Sequence, residues 1–357
     1  MGPMHDSRVV ALLLALVLAL GSGGCTSIRY YWQAMRGQFE LVHEARPIEE
    51  VIADPATSQR LKDTLGQVQV MRDFASRELA LPDNGSYRRY ADLGRSYVVW
   101  NVFATEEFST RAKEWCFPVA GCVGYRGYFK EADARAFARE QAQAGLDVYV
   151  GGVPAYSTLG WLDDPVLSTF VHYPPVELAR LVFHELSHQV VYVKGDTTFN
   201  ESFAMTVEIE GGQRWVRAHG TPQMQQGFEQ AQARKRDFAE LIERTRARLD
   251  ALYGEAGTDP ASLRRRKALL LEDMRAQYAA LRQGWGDFAG YDWWFAQPLN
   301  NAQLASIALY TRLVPGFQQV LRENAGDMPA FYVEVERLAG LPEAQRAQRL
   351  SAPGAQD

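Results

Sequence analysis

Cysteine and histidine are scarce in this chain of 357 residues, at three and six. A disulfide-stapled scaffold is therefore excluded, and the length suffices to bury a core without staples. A basic excess is also missing, since 38 Lys and Arg stand against 43 Asp and Glu, a formal charge of −5. That balance argues against a nucleic-acid binder and against strong attraction to an acidic surface. There is no internal repeat and no long low-complexity tract. Apolar residues make up 47% and charged ones 23%, which excludes disorder as the main state. The length is compatible with two domains or one large one.

The unbroken apolar run Val9–Leu20 has 12 residues, short of the roughly 20 that a membrane-spanning helix needs. It follows Arg8 and ends in Gly21-Ser22-Gly23-Gly24-Cys25. A charged start, an apolar middle and small residues at the end form the layout of a secretory signal. Small residues before Cys25 resemble a bacterial lipoprotein processing site, with Ser22 where such sites usually carry Leu. The resemblance implies a leader over residues 1–24, cleavage before Cys25, and a lipid anchor on Cys25. Thr26, in place of Asp, implies outer-membrane sorting on the periplasmic side. Ordinary signal cleavage, releasing a soluble protein, is the alternative. In an exported chain the remaining pair, Cys116 and Cys122, is expected to form a disulfide.

Residues 28–80 read as mainly helical, broken at Pro47 and Pro55, and Pro82-Asp83-Asn84-Gly85 reads as a turn. Strand-like stretches are centred on Tyr97–Trp100, Val123–Phe129 and Asp147–Val150, with an edge strand expected at Tyr156–Trp161. A helix is expected over Lys130–Ala144, and another from Pro174 and Pro175 to Lys194, stopped by Gly195. Phe238, Ile242, Leu249 and Leu252 fall on one helical face, and Leu271, Met274, Tyr278 and Leu281 on another. With Gly254–Pro260 between them, they predict an antiparallel helical hairpin over residues 228–283, projecting from the body. Its partner, if it has one, is not specified by the sequence. Its charges read as a solvated face.

His184-Glu185-Leu186-Ser187-His188 matches H-E-x-x-H. On a helix, residues four apart lie one turn above each other, so both imidazoles reach one metal ion. A catalytic zinc site takes three protein ligands and keeps a fourth position open. Glu201, in Asn200-Glu201, can supply the third ligand if Gly195 ends the first helix and Thr197 or Thr198 caps a second.

Here the chain resembles the gluzincins, the thermolysin-like metallopeptidases, which carry H-E-x-x-H and an Asn-Glu pair on a following helix. Over nearly its whole mature length it is similar to a family of bacterial predicted aminopeptidases with lipoprotein character. The stretches that carry this are Tyr125–Phe129, Gly151–Pro165, His184–His188, Asn200–Ala204 and Asn300-Asn301-Ala302. The resemblance implies an α+β, zincin-like fold: a small mixed sheet, a zinc-site helix pair, and a mainly helical C-terminal part. It divides the chain into a catalytic region (residues 25–227), the hairpin (228–283), a helical part completing the cleft (284–350) and a polar tail (351–357).

The resemblance implies one Zn2+ held by His184, His188 and Glu201. It also implies Glu185 as general base and acid toward a zinc-activated water, and a peptide substrate. Relatives of this class place a tyrosine after the Glu ligand to stabilise the oxyanion. Tyr310 is the candidate, with Tyr291 and His172 as rivals. Thermolysin-like enzymes often orient a histidine with an Asp four residues after the Glu ligand. Met205 stands there, leaving Glu208 or Asn200 for that task. Asp163, Asp164 and Glu208 are candidates to recognise a free ammonium. His43 and His219 read as structural or surface residues. The expected function is that of a zinc-dependent aminopeptidase. The alternative is a catalytically silent lipoprotein of the same fold acting as a binding or scaffolding module. The intact His184, Glu185, His188 and Glu201 argue against it.

Overall fold

The computed structural model describes Tyr30, Gln33, Gly37, Leu41 and residues 43–117 and 121–351. The leader, Cys25 and the tail beyond Ser351 lie outside the described residues. The chain is mixed α+β, mainly helical, with small sheets, as expected.

The described strands are β1 (Arg46–Pro47), β2 (Arg89–Ala91), β3 (Val99–Thr105), β4 (Trp115–Phe117), β5 (Gly121–Val123), β6 (Arg126–Tyr128), β7 (Asp147–Val153) and β8 (Val166–Leu167). They form three separate sheets. In one, β2 runs antiparallel to β1 and parallel to β8. In the second, β3 lies between β6 and β7, antiparallel to both. The third is the β4–β5 pair, with Cys116 opposite Cys122 and the two sulfurs bonded.

Strand β3 is rich in β-branched and aromatic residues, and nearly all of it is buried. The helices Glu131–Gln143 and Asn301–Thr311 both pack on it, which removes the usual alternation of apolar and polar positions.

Two strand expectations are corrected. The stretch Val123–Phe129 is broken at Gly124 and Tyr125 into β5 and β6. Gly124 sits so close to the Asn301–Thr311 helix that a Cβ there would lie 2.9 Å from Leu309 Cδ1. Tyr156–Trp161 is not a strand. Leu159 and Gly160 have φ of 58° and 80°, which ends any extended run. The Thr158 N–H turns inward to the Asp164 carboxylate, at 3.0 Å, instead of outward to a neighbouring chain.

The core gathers around the helix pair that carries the motif. Leu178, Val182, Phe183 and Leu186 of helix Pro175–Ser187 meet Met71, Phe74 and Leu79 of helix Gln59–Leu79. Phe199, Phe203 and Val207 of helix Thr197–His219 meet Phe317, Phe331 and Val335 from the C-terminal helices. Arg72, fully buried, donates from Nε to the Ser86 carbonyl at 2.9 Å. It thereby ties the long helix to the Pro82–Gly85 turn.

Helices Pro222–Tyr253 and Pro260–Gly284 form the hairpin. Arg248 pairs with Asp273, and Trp285 Nε1 donates to Asp237 at 2.8 Å, so the two helices run antiparallel. Of the eight apolar positions that predicted it, seven are buried and Leu281 is half-buried. The hairpin does not stand clear of the body. Arg264 pairs with Glu107 at 2.6 Å, Lys267 with Asp147, and Thr110 donates to Asp250 at 2.8 Å. A second core of Phe238, Ile242, Met274, Trp294 and Leu304 seals its base. Among the described residues no helix is long and apolar enough to cross a membrane.

Phe203 is fully buried and its ring contacts Phe317, Phe331 and Tyr332. Phe203→Ala is expected to cost about 3–5 kcal/mol in chemical denaturation, the range for emptying such a site. A loss below about 1 kcal/mol would show that this junction does not hold helix Thr197–His219 in place.

Candidate metal centre

The motif helix begins at Pro175, whose missing N–H is no loss in a first turn. It ends at Ser187 rather than Lys194, and His188 is its C-cap. Gln189 N–H and Val190 N–H donate to Leu186 and Ser187, three residues back, which tightens the last turn. Asn200 then grips Val193, accepting from its N–H and donating to its carbonyl, both at 2.8 Å. That clamp keeps the chain out of the helix and turns it toward Gly195, at φ 86°.

The second helix starts at Thr197, and Asp196, not a threonine, caps it by accepting from Phe199 N–H at 3.0 Å. Thr197 instead accepts from Gly124 N–H. Gly211 and Gly212 lie where the second helix presses on the first. A Cβ on Gly211 would lie 2.7 Å from Phe183, and one on Gly212 2.7 Å from Arg180. Paired glycines in a helix interior cost about 1 kcal/mol each in propensity, and here they permit the close approach.

That approach brings His184, His188 and Glu201 together, all three buried. Glu201 Oε2 lies 3.4 Å from His184 Nε2 and 3.7 Å from His188 Nε2. One atom from each residue falls within 4.8 Å of the others, so the cluster could hold a metal ion. The donor set is two imidazole nitrogens and one carboxylate oxygen, the composition of a catalytic zinc site. The tautomer fits as well. His184 Nδ1 is 3.0 Å from Glu208 Oε2, which leaves Nε2 facing Glu201. Among the described residues His188 Nδ1 has no hydrogen-bond partner.

Glu208, seven residues after Glu201, lies on the same helical face two turns on. It takes the role that Met205 leaves open, while Asn200 is occupied by Val193. Arg180, 1% exposed and four residues before His184, pairs with Glu208 and also with Glu177 at 2.8 Å. Lys235 of the hairpin reaches Glu177 at 3.4 Å.

These charges set the local acidities. Burial opposes ionisation of Glu208, yet Arg180 and the His184 bond bring it down to about 2. Burial would also lower His184, but its bonds to Glu201 and Glu208 outweigh that and raise it to about 10. Burial dominates at His188 and brings it to about 4. Glu185 is raised to about 7 by burial, against the pull of His184.

Tyrosines from several segments feel the charges of Glu201 and Glu185. Tyr310 and Tyr125 are both raised by burial and by the charges of Glu201 and Glu185. Burial raises Tyr192 and Tyr87 too, with the charge of Glu201 adding to the first and that of Glu185 to the second. Ser202, next to Glu201, donates to the Tyr310 carbonyl at 3.2 Å and so holds that helix end against the cluster.

The rivals make other contacts. Tyr291 stacks on Phe238 at 4.3 Å in the hairpin core, and His172 packs edge-on against Tyr173. His219 stacks on Trp215 at 4.0 Å. Of the three carboxylates considered for ammonium recognition, Asp163 is exposed and Glu208 is engaged by His184 and Arg180. Asp164 is buried. Arg180, Tyr125 and Tyr192 carry no signal of their own in the sequence. Helical spacing marks Arg180 and Glu208 once His184 and Glu201 are chosen.

The chain matches the putative aminopeptidase family over residues 29–350 and belongs to it. No curated protein and no solved structure matches the chain.

Two outcomes follow for metal binding. A metal must find His184 neutral, and that imidazole holds its proton up to about 10 in the metal-free protein. Each ion bound at neutral pH therefore displaces one proton, and apparent affinity should rise about tenfold per pH unit. A competition titration with a chromogenic chelator measures the slope, and a flat profile would contradict the proton-holding pair. Glu208→Gln keeps the shape but not the charge, and is expected to weaken the metal about 10- to 100-fold. An unchanged dissociation constant in the same assay would remove Glu208 from the site.

Proposed function

We propose that this family member is a zinc-dependent aminopeptidase of gluzincin type. The observation that carries the reading is the convergence of His184, His188 and Glu201 beside a carboxylate, Glu185, that holds none of them. The helix pair would then be the active-site half of a zincin-like fold, with the C-terminal helices supplying Tyr310. A metal ion held by His184 Nε2, His188 Nε2 and a Glu201 oxygen would supply Lewis acidity toward a carbonyl and toward water.

The remaining work falls to the chain's own residues. Glu185 accepts a proton from the attacking water and delivers it to the leaving amine, for which an elevated carboxyl is suited. Burial raises it toward 7, so it can both take and release a proton near neutrality. Tyr310 and Tyr125 keep their hydroxyl protons, being pushed well above the usual tyrosine range. Either can donate a hydrogen bond to the oxygen that gains charge in the transition state. The intact Glu185, half-buried beside the cluster, argues against a silent scaffold, which has no use for such a base.

Localisation belongs to the same proposal. The short apolar leader, the small residues before Cys25 and the bridged Cys116 and Cys122 support an exported chain, anchored by lipid on Cys25 at the periplasmic face of the outer membrane.

Glu185→Gln is expected to lower kcat/KM on an unblocked peptide about 10²- to 10⁴-fold while zinc content stays at the wild-type level. Full activity in a variant that keeps its zinc would remove Glu185 as the base. A wild-type protein with zinc bound and no hydrolysis would favour the binding role.

A further inference from the structure

Asp164 sits at 3% exposure, and among the described residues no Lys, Arg or His forms an ion pair with it. The other described buried charged residues have opposite charges: Arg72 with Asp83, Arg180 with Glu177 and Glu208, Arg246 with Glu243, Arg346 with Asp196, and the ligand trio with one another. A buried charge is costly unless it is paired. Among the described residues the donors to Asp164 are neutral groups of Ser157 and Thr158, with Thr158 N–H at 3.0 Å and Ser157 Oγ at 3.4 Å.

A second, independent observation lies beside it. Tyr87 is 1% exposed and its hydroxyl has no hydrogen-bond partner among the described residues. Burial pushes that hydroxyl well above the usual tyrosine range, and the charges of Glu185 and Asp164 add to the shift. Its backbone is held at φ 62°, a conformation that non-glycine residues enter at a cost. Tyr87 N–H donates to the Asp164 carbonyl at 2.6 Å, and Asp164 N–H donates to Ser86 Oγ at 3.2 Å.

This pair is fastened to the face of the motif helix that carries the base. Gln189, one turn after Glu185, donates to Ser86 Oγ at 3.1 Å and accepts from Asn84 at 2.7 Å. Arg72 braces the same turn from behind through the Ser86 carbonyl. A carboxylate without an ion pair and an unused phenol thus lie beside the turn that Gln189 fastens to the motif helix, one turn from Glu185. The chemistry they can satisfy is that of a small cation with N–H donors, which a carboxylate and a phenol oxygen accept and a ring face attracts.

We propose that Asp164 and Tyr87 form the subsite for the free α-ammonium of the substrate, and so restrict cleavage to the first residue of a chain. The proposal rests on the peptidase reading and names the residue that sets its exopeptidase character.

The test separates the two. Full-length protein is titrated by calorimetry with L-leucinol, which has a primary ammonium and no scissile bond, and with 4-methylpentan-1-ol, which lacks the amine. Wild-type protein is expected to bind leucinol at least about tenfold more tightly, the value of a charged hydrogen bond. Equal affinities would overturn the subsite without any variant. Asp164→Asn is expected to erase the preference and Asp163→Asn to keep it. A folded Asp164→Asn that retains the preference would overturn the assignment. If Asp164→Asn does not fold, Tyr87→Phe, which removes one hydroxyl, decides: a several-fold smaller preference supports the subsite, and an unchanged one refutes it.

The same proteins are then given a peptide with a free and with an acetylated amino terminus. Leucinol preference without hydrolysis of either peptide would keep the subsite and defeat the peptidase reading. Equal hydrolysis of both, with no leucinol preference, would do the reverse.

Discussion

The bond from His184 Nδ1 to Glu208 fixes which nitrogen of that imidazole faces the ligand carboxylate. Without it the ring could turn, and the remaining two donors would not make a site. Glu208 in turn is held by Arg180, and Arg180 by Glu177. His184, Glu208 and Arg180 are buried or nearly so, and each removes a charge that would otherwise be left unpaired in a low-dielectric interior, while Glu177 lies partly exposed at the outer end. The chain ends at Lys235, so the hairpin is joined to the centre by charge as well as by its apolar base.

Two helices must lie very close for this to work, and the sequence meets that demand in two ways. Gly211 and Gly212 remove the side chains that would hold the helices apart. Phe199 and Phe203 anchor the second helix to the C-terminal helices, on the side away from the motif. The C-terminal part thus supports the ligand helix and, through Ser202, delivers Tyr310 to the centre. The two faces of one helix carry both tasks.

What could be read in advance followed from spacing. His184 and His188 are four apart, and their face is set by helical geometry before any tertiary contact is known. The hairpin was legible for the same reason, because its apolar positions recur every three or four residues. What escaped depended on contacts between distant segments. The strand expected at Tyr156–Trp161 has suitable residues, but Asp164 captures the Thr158 N–H and the loop turns inward. The helix expected to reach Lys194 stops at Ser187 because Asn200, on the next helix, takes both backbone groups of Val193. Tyr125 lies in a stretch marked only by family likeness, and nothing local shows that it faces Glu201. Asp164 could be named among three acids, and only its burial beside Tyr87 sets it apart.

A metal at His184, His188 and Glu201, on the reading proposed, serves the stepwise removal of amino-terminal residues. The most direct measurement is digestion of a mixed peptide library by the zinc-loaded full chain, read by mass spectrometry beside a metal-stripped sample. Products shortened one residue at a time from the amino terminus are expected, absent without zinc and restored when it is returned. Internal cleavage, or identical products with and without the metal, would contradict it.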